Sequence, residues 1–266
     1  MKPCLAASAV LALLPAAAWA DRPFSVHDLD GALTLQAMRG PDYIGARTYG
    51  NGIRPGIYVR WGRLSLSSGG SWAAVRQDEE LRGLGIELRR TTHLRISLGL
   101  RFDSGRDESA APALAGMGDV KRTVRARIGA TWHFRPDWQL QAGWTIDAFG
   151  RGGGNLGEAK VQHDWRLSPR MKLTSGVTLA LAGDRYLQTY YGVTPEQSAR
   201  TGYSVFTPRM SLRDVSVFTT LQTELGEDWV GQLGLGLNRV LGDAAKSPLT
   251  QRSTAWSANA GIGWRF

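Results

Sequence analysis

Two histidines and one serine are the side chains whose types could support nucleophilic catalysis. His93 and Ser97 lie close together in the sequence, and His133 lies in a later segment. A serine nucleophile needs a neighbouring base, and that base needs a third group to orient it. No local motif marks Ser97 as a nucleophile, so we predict that these are polar interior side chains. The sequence therefore predicts no catalytic residue, no cofactor and a protein that is not an enzyme.

An acidic loop and a glycine-rich loop are the other candidates for binding chemistry. Asp107, Glu108 and Asp119 could meet around a calcium ion, but their spacing does not match a calcium-binding loop. The stretch GRGGGN at 150–155 has the glycines of a dinucleotide site, but it lies between two strand patterns instead of opening a helix. We predict that both are solvated loops and that neither binds a metal ion or a nucleotide.

The elements that carry these residues alternate between apolar and polar side chains with unusual regularity. The clearest examples are HLRISLGLRF at 93–102, TVRARIGATWHF at 123–134 and WQLQAGWTIDAF at 138–149. A period of two residues indicates β-strands. Similar patterns lie at 31–39, 55–66, 70–77, 83–89, 156–167, 170–183, 209–225, 228–240 and 254–266. The pattern slips near Gly62, because Trp61 and Leu64 cannot share one face of a single strand without a bulge. We therefore predict about twelve strands, with the first third the least certain part of the count.

Short and long connections alternate between the predicted strands. Tight-turn sequences lie at 90–92, 135–137, 168–170 and 226–228. Long connections lie between them, at 40–54, 103–121, 149–155, 184–208 and 241–253. Short turns at one end and long loops at the other are typical of outer-membrane barrels. The predicted fold class is therefore all-β, a transmembrane antiparallel β-barrel with short periplasmic turns and long external loops.

Alternation alone does not show which face of the strands is inside. A secreted β-sandwich or a lipocalin-like barrel would bury the apolar face, whereas a membrane barrel turns it to lipid. Aromatic residues beside the short turns favour the membrane barrel, because aromatic rings prefer the membrane interface. The apolar face is also rich in small residues, which suit a lipid surface better than a close-packed core.

In a membrane barrel the charged residues of the alternating strands face the lumen. The principal candidates for lumen charges are Arg95, Arg101, Arg125, Arg127, Asp147, Asp164 and Arg166. The same face also carries Arg60, Arg89, Lys160, Lys172, Arg265, Glu87, Asp214 and Glu224. Such a set could form a hydrated, anion-favouring passage or a plug of cross-linked charges, and the sequence leaves both open.

The two ends of the chain indicate export and membrane insertion. Residues 1–20 have a positive start, an apolar run and a small-residue cleavage site, which predicts a signal peptide followed by a barrel domain at 21–266. Cys4 is the single cysteine and lies in that signal, which excludes disulfides in the exported chain. The final strand ends on Trp264 and Phe266, which we predict to be a membrane-insertion signal read by the barrel-insertion machinery.

The chain has 32 basic and 23 acidic residues, a net charge of +9. Since an exported protein does not normally meet nucleic acid, the expected partners are outer-membrane lipid and anionic lipopolysaccharide.

Several loop sequences together resemble one protein family. GPDYIGA at 40–46, GRDES at 105–109, LAGMGDV at 114–120, YYGVTPEQSARTGY at 190–203 and RVLGDAAKSPL at 239–249 occur in order. They resemble the MipA/OmpV family, the MltA-interacting protein family of Gram-negative outer membranes. The resemblance covers about 31–266, with YYGVT and GDAAKSPL as its most specific parts. Ala46 and Thr201 stand where serine is expected.

This resemblance implies a non-enzymatic scaffold or interaction protein that brings periplasmic murein enzymes together. Fold alone does not fix function, however. Periplasmic turns of about three residues offer little contact surface, so the segment 21–30 would have to contribute. The alternative is a narrow channel for small, anionic solutes that uses the basic lumen.

Overall fold

The computed structural model describes residues 29–69, 71–74 and 83–266. Within them the chain forms twelve antiparallel strands that close into one barrel. Each strand pairs with its sequence neighbours, and the last pairs with the first. The strands are β1 (Leu29–Pro41), β2 (Tyr49–Trp61), β3 (Leu64–Ser67), β4 (Gly83–Arg90), β5 (Leu94–Asp103), β6 (Thr123–Arg135), β7 (Trp138–Asp147), β8 (Asn155–Ser168), β9 (Met171–Ala182), β10 (Ser211–Glu224), β11 (Trp229–Val240) and β12 (Thr254–Arg265). The predicted all-β barrel of about twelve strands is confirmed, whereas the predicted signal peptide lies outside the described residues.

Short turns and long connections lie at opposite ends of this barrel. The turns 62–63, 91–93, 136–137, 169–170 and 225–228 are at one end, and the longer connections are at the other. In outer-membrane barrels the short turns face the periplasm. We therefore call the two ends the periplasmic end and the outer end.

Apolar side chains cover the outside of the barrel. On β5, Phe102 is 87 % exposed and Leu100 is 48 % exposed, whereas Arg95 and Ser97 are 7 % and 3 % exposed. A water-soluble β-protein would show the reverse, because it folds mainly by removing apolar surface from water. The apolar face of the strands therefore faces lipid, and the polar face lines the lumen.

A row of aromatic rings marks the periplasmic interface. The ring centroids of Trp132 and Phe134 are 5.6 Å apart, and those of Phe134 and Trp138 are 6.1 Å apart. His163 continues the row between Trp138 and Trp165, with its ring centroid 4.6 and 4.2 Å from theirs. Aromatic rings are enriched where a membrane meets water, so this row places the short-turn end at the membrane surface.

The last residue of the chain completes the closure between β12 and β1. The Phe266 N–H donates to the Gly31 carbonyl at 3.0 Å, and the Gly31 N–H donates to the Phe266 carbonyl at 3.1 Å. The Phe266 ring lies directly over Gly31, where any Cβ would overlap it. The Trp264 ring is 5.4 Å from the Phe266 ring. The two predicted insertion-signal residues therefore also lie along the seam that closes the barrel.

The structure corrects the prediction in the first third of the chain. The predicted strand 55–66 is a hairpin: β2 and β3 meet at Gly62, which has a φ of +57°. Trp61 and Leu64 are directly paired, so a turn rather than a bulge places them on the same face. The predicted strand 70–77 is wrong at Ser71–Ala73, which form a 3₁₀ turn. Residues 70 and 75–77 lie outside the described residues. The two errors cancel in the strand count.

Two β-bulges change which charged residues face the lumen. A bulge between Glu87 and Arg89 pairs Arg89 with Ile96 on the outer face, so the prediction that Arg89 faces the lumen is wrong. A second bulge between Leu212 and Asp214 brings Arg213 inside together with Asp214, and both are buried. An extra residue in one strand reverses the alternation beyond it.

Helices in the long connections cover the outer end. They are α1 (Asp184–Tyr191), α2 (Pro195–Thr201) and α3 (Gly242–Lys246), and α2 begins with a capping box between Thr194 and Gln197. Leu187 and Tyr191 of α1 pack with Val240 and Ala244 in one buried cluster. Among the described residues, none of the helices combines the length and apolarity needed to span a membrane. The outer end thus carries its own small core, which we call the outer cap.

Candidate functional site

The lumen contains three groups of polar side chains, arranged along the barrel axis. A charged group lies at the periplasmic end, a row of amides lies in the middle, and a second charged group lies under the outer cap.

At the periplasmic end, one glutamate holds two arginines from neighbouring strands. Glu87 Oε2 accepts a hydrogen bond from Arg60 Nη2 at 3.0 Å and lies 3.4 Å from Arg95 Nε. Both arginines are almost fully buried. Charge-assisted contacts of this kind are stronger and geometrically stricter than neutral ones. Arg95, a predicted lumen charge, is therefore fixed against the barrel wall by Glu87.

Beside this group, residues 71–74 lie inside the barrel, and we call them the lumen segment. The Trp72 carbonyl accepts a hydrogen bond from Gln222 Nε2 at 3.1 Å, and the Ala73 carbonyl accepts one from Arg265 Nε at 2.7 Å. Ala73 and Ala74 are fully buried.

Two glycines of β12 make room for the lumen segment. A Cβ on Gly263 would lie 2.5 Å from the Ala73 Cβ, and a Cβ on Gly261 would lie 2.9 Å from the Trp72 ring. Because such contacts require the segment to shift, glycine at both positions permits the close approach. The lumen is therefore obstructed by its own chain near the periplasmic end.

The middle of the lumen is lined by side-chain amides, which we call the amide belt. Asn259 Oδ1 accepts hydrogen bonds from Gln36 Nε2 at 3.0 Å and from Gln232 Nε2 at 3.2 Å. Gln232 Oε1 accepts one from Gln222 Nε2 at 3.1 Å. The belt consists of Gln36, Gln139, Gln141, Gln162, Gln222, Gln232 and Asn259. Four of these amides, on the neighbouring strands β1, β12, β11 and β10, form a connected chain. Gln141 donates separately to Gln139 at 3.5 Å.

A cavity of about 750 Å³ lies against the amide belt. The Trp72 and Phe218 side chains, together with Arg54 and Lys160, share its lining with the belt, and it reaches Asp42 at the outer end of β1. Lys160 Nζ lies 5.8 Å from the centre of the Phe218 ring. This volume falls within the ~300–1,000 Å³ typical of small-molecule sites.

Two acids bordering the lumen are matched by neighbouring donors. Asp164 accepts a hydrogen bond from Thr174 Oγ1 at 2.7 Å, and its other oxygen lies 3.8 Å from Lys172 Nζ. Asp147 accepts hydrogen bonds from Thr123 and, at 2.8 Å, from the Gly153 N–H. These two predicted lumen charges are thus held in local networks.

Arg125 is the most deeply buried charge beneath the outer cap, at 2 % exposure. Its Nε donates to Asp103, its Nη1 donates to the Gly153 carbonyl at 3.1 Å, and its guanidinium lies 5.4 Å from the Tyr186 ring. Arg127, on the same face, pairs with Glu158 at 3.1 Å. Both arginines therefore have carboxylate partners inside the barrel.

Tyrosines of α1 stack with these arginines. The Tyr186 and Tyr190 rings are stacked with centroids 4.6 Å apart, and Arg213 and Arg106 lie over Tyr186 and Tyr190 at 5.4 and 5.8 Å. Arginine over an aromatic face is a favourable cation–π contact. This stack of rings and guanidinium groups joins the cap to the barrel. Burial also lowers the pKa of Arg106.

Two further tyrosines of the outer cap, Tyr43 and Tyr191, are held neutral by burial. Burial, with the nearby Tyr203, raises the pKa of Tyr43 to about 12. Burial also raises the pKa of Tyr191. The Tyr43 hydroxyl donates to the Leu249 carbonyl at 2.7 Å. These phenols therefore act as hydrogen-bond donors inside the cap over the ordinary pH range.

Two predicted lumen charges lie near the barrel rims. Arg101, which pairs in register with Arg125, and Arg166, which pairs with Lys172, are both exposed. The sequence missed Trp72, Phe218 and Arg213 as lumen residues. For Phe218 the signal was available, because it shares the alternation phase of Gln222 on β10.

The serine, histidine and acidic side chains considered for catalysis and metal binding lie in separate places in the structure. Ser97 is buried on β5 opposite Gly129, and His93 is exposed in the turn before that strand. Glu108 Oε2 accepts hydrogen bonds from the Gly116 and Gly118 N–H groups at 3.1 and 2.9 Å. Within the described ranges, no three acidic, histidine or cysteine side chains are grouped so as to hold a metal ion.

The chain is similar in sequence to two known proteins. The chain is 24 % identical over 147 residues to the outer membrane protein YiaT of Escherichia coli K12, and the match covers 55 % of this chain and 59 % of that protein. The same figures hold for YiaT of Escherichia coli O157:H7. The matched part thus spans little more than half of these relatives.

Solved structures with a similar fold share little sequence with the chain. The NanC porin has a TM-score of 0.42 at 8 % identity, covering 89 % of this chain and 98 % of its own. OmpT of Vibrio cholerae has a TM-score of 0.41 at 8 % identity, covering 90 % and 97 %. The sequence model for the MltA-interacting protein MipA matches residues 33–266. Since that match takes in nearly all of the barrel from β1 to Phe266, this chain belongs to the MipA family of outer-membrane proteins.

Proposed function

We propose that this MipA-family barrel is a non-enzymatic interaction protein that holds a murein enzyme at its periplasmic rim. The observation that carries the proposal is the lumen segment, which the side chains of Arg265 and Gln222 tie into the periplasmic end. An obstructed lumen suits a barrel that works through its surface. The family description names MltA as an interacting protein, and the proposal extends that interaction to this chain.

The charge distribution of the periplasmic rim offers a contact surface despite its short turns. The turns from β2 to β9 expose a basic edge, whereas the turn between β10 and β11 exposes Glu227 and Asp228. The basic edge consists of Arg63, Arg89, Arg135, Arg166 and Arg170, and the exposed Asp137 lies beside Arg135 in the same edge. Complementary charge raises association rates and fixes orientation more than it raises affinity. We infer that the partner presents an acidic patch to the basic edge.

Binding of purified MltA to the detergent-solubilised barrel tests this function. We expect the triple variant Arg63→Glu, Arg135→Glu, Arg170→Glu to weaken binding by about tenfold or more, because each reversal opposes the acidic patch. The matched control reverses three arginines at the outer end: Arg151→Glu, Arg185→Glu and Arg252→Glu. If MltA does not bind, or if both triple variants lose affinity equally, the rim does not serve as the docking surface.

The alternative function, a narrow channel for small anions, is favoured by one observation. The polar cavity is lined by Arg54 and Lys160, neither of which has a carboxylate partner among the described residues. Planar-bilayer recording separates the two functions. The interaction protein gives no stable conductance, whereas a channel gives one that falls in Arg54→Gln and Lys160→Gln. Arg125 is a poor probe here, because replacing it would disturb the outer cap.

Export and insertion complete the proposed function. Cleavage after Ala20 would leave Asp21 as the first residue, and mass spectrometry of protein from outer membranes tests that boundary. Trp264 and Phe266 would be the insertion signal. Anionic lipopolysaccharide would contact basic residues at the outer end of the barrel.

A further inference from the structure

We infer that the lumen cavity is a binding site for a small sugar acid, a hydroxylated molecule that carries one carboxylate. The inference goes beyond the proposed interaction at the periplasmic rim, because it concerns a different part of the protein. It stands on the amide belt, the two aromatic side chains and the four cations that share the cavity.

The amide belt supplies donors and acceptors side by side. Each glutamine or asparagine offers two N–H donors and a carbonyl acceptor, and the hydroxyls of a sugar likewise donate and accept at adjacent positions. Gln222 is only 9 % exposed, and its Nε2 donates to the Trp72 carbonyl and to Gln232 Oε1 at 3.1 Å each, which fixes the orientation of its amide. Gln36 and Gln162 are more accessible and line the same cavity, so these amides are the ones placed to contact a ligand.

Aromatic side chains give the cavity an apolar side. The side chains of Trp72 and Phe218 both line it together with the belt. Phe218 packs closely over Gly176, where a Cβ would lie 2.8 Å from the ring. A pyranose ring has C–H faces that pack on aromatic surfaces and hydroxyl edges that need hydrogen bonds. A site with amides on one side and rings on the other matches both requirements.

The charge of the cavity selects an acid over a neutral sugar. Arg39, Arg54, Lys160 and Lys172 line it, against Asp42 and Asp164. Lys172 lies 3.8 Å from Asp164, and Arg39 donates to Asn51 at 2.7 Å. Arg39, Arg54 and Lys160 have no carboxylate partner within the described part of the chain. Since Arg39 is engaged by Asn51, Arg54 and Lys160 are left for a ligand. Arginine binds carboxylates through paired hydrogen bonds, so Arg54 is the residue assigned to the ligand carboxylate.

The direct test is calorimetric titration of the purified, detergent-solubilised barrel with D-glucuronate, D-glucose and acetate. We expect D-glucuronate to bind about tenfold more tightly than either of the others, a difference of about 1.4 kcal/mol. Glucose lacks the carboxylate and acetate lacks the hydroxyls. Acetate binding as tightly as glucuronate would overturn the inference in favour of a simple anion site, and equal binding of glucose would remove the role of the cations.

Variants test separately the part of the site that binds the carboxylate and the part that binds the hydroxyls. Arg54→Met should weaken glucuronate binding about tenfold and leave glucose binding unchanged, whereas Gln162→Leu should weaken both. Gln36→Leu serves as a second belt variant. Arg252→Met, at an exposed outer loop, is the matched control for Arg54. Absence of glucuronate binding up to about 10 mM, or equal loss in the control, would refute the site. Neither result would alter binding of MltA to the rim, so the two proposals can fail separately.

Discussion

Arg125 provides the sharpest test of how the outer cap is joined to the barrel. Its guanidinium is 2 % exposed, pairs with Asp103 and donates to the Gly153 carbonyl at 3.1 Å. The variant Arg125→Met removes the positive charge but keeps most of the apolar volume of the side chain. Breaking a buried ion pair costs roughly 3–5 kcal/mol, because the remaining charge loses its partner. The Asp103 side chain retains 16 % exposure, so we expect a loss at the lower end, about 3 kcal/mol.

A double-variant cycle separates the ion pair from simple loss of packing. In Arg125→Met with Asp103→Asn the unpaired carboxylate is gone, while Asn can still accept the hydrogen bond that the Gly105 N–H donates at 3.0 Å. The double variant should therefore be more stable than Arg125→Met alone by about 1–2 kcal/mol. The measurement is urea unfolding of the refolded barrel in detergent micelles, followed by tryptophan fluorescence.

The control for this cycle is Arg252→Met, whose side chain is exposed and whose loss should change stability by less than about 0.5 kcal/mol. Two results would refute the reasoning. One is an Arg125→Met variant as stable as the control. The other is a double variant whose loss equals the sum of the two single losses, because additivity would mean that the two side chains do not interact.

Two further predictions concern the chain end and the cap. Deletion of Phe266 should lower the yield of membrane-assembled, heat-modifiable barrel, because it removes the ring over Gly31 and the backbone pair that closes the seam; an unchanged yield would contradict both the insertion signal and the seam role. Above pH 10 the cap should lose stability, because the pKa of Tyr43 is raised to about 12 and the unfolded phenol ionises first. The stability difference between the protein and Tyr43→Phe should therefore shrink between about pH 10 and pH 12, and a pH-independent difference in urea unfolding would argue against a buried, neutral phenol.

The barrel could be predicted because each strand has one face towards lipid and one towards the lumen, which gives every strand the same alternation of apolar and polar residues. A residue such as Phe102 or Arg95 must face one side or the other, so alternation in the sequence follows directly from the pleat. The tight turns were predictable for a related reason, since few sequences allow a two- or three-residue reversal. At Gly62 the same chemistry was present but was interpreted as a slip within one strand.

The errors occurred where alternation is broken or where a contact is distant in sequence. A bulge adds one residue, so Arg89 and Arg213 took the opposite face from the one that counting assigns. The residues SWAA at 71–74 lie in the lumen because of contacts nearly two hundred positions away, at Gly261, Gly263 and Arg265. Inward-facing glycines on β12 were the available signal, because they mark a space that another part of the chain must fill.

The way the interior is filled connects the fold to the proposed site. An eight-stranded barrel is just wide enough for its own side chains to fill, and a twelve-stranded barrel is wider. The lumen takes in residues 71–74 at one end and helices at the other, and a cavity of about 750 Å³ still remains between them. A cavity left only because side chains cannot pack more closely would be lined by small apolar groups, because cavities that stay free of water are apolar. This one is instead lined by amides, two rings and three cations without carboxylate partners among the described residues, which is the lining that a polar ligand requires.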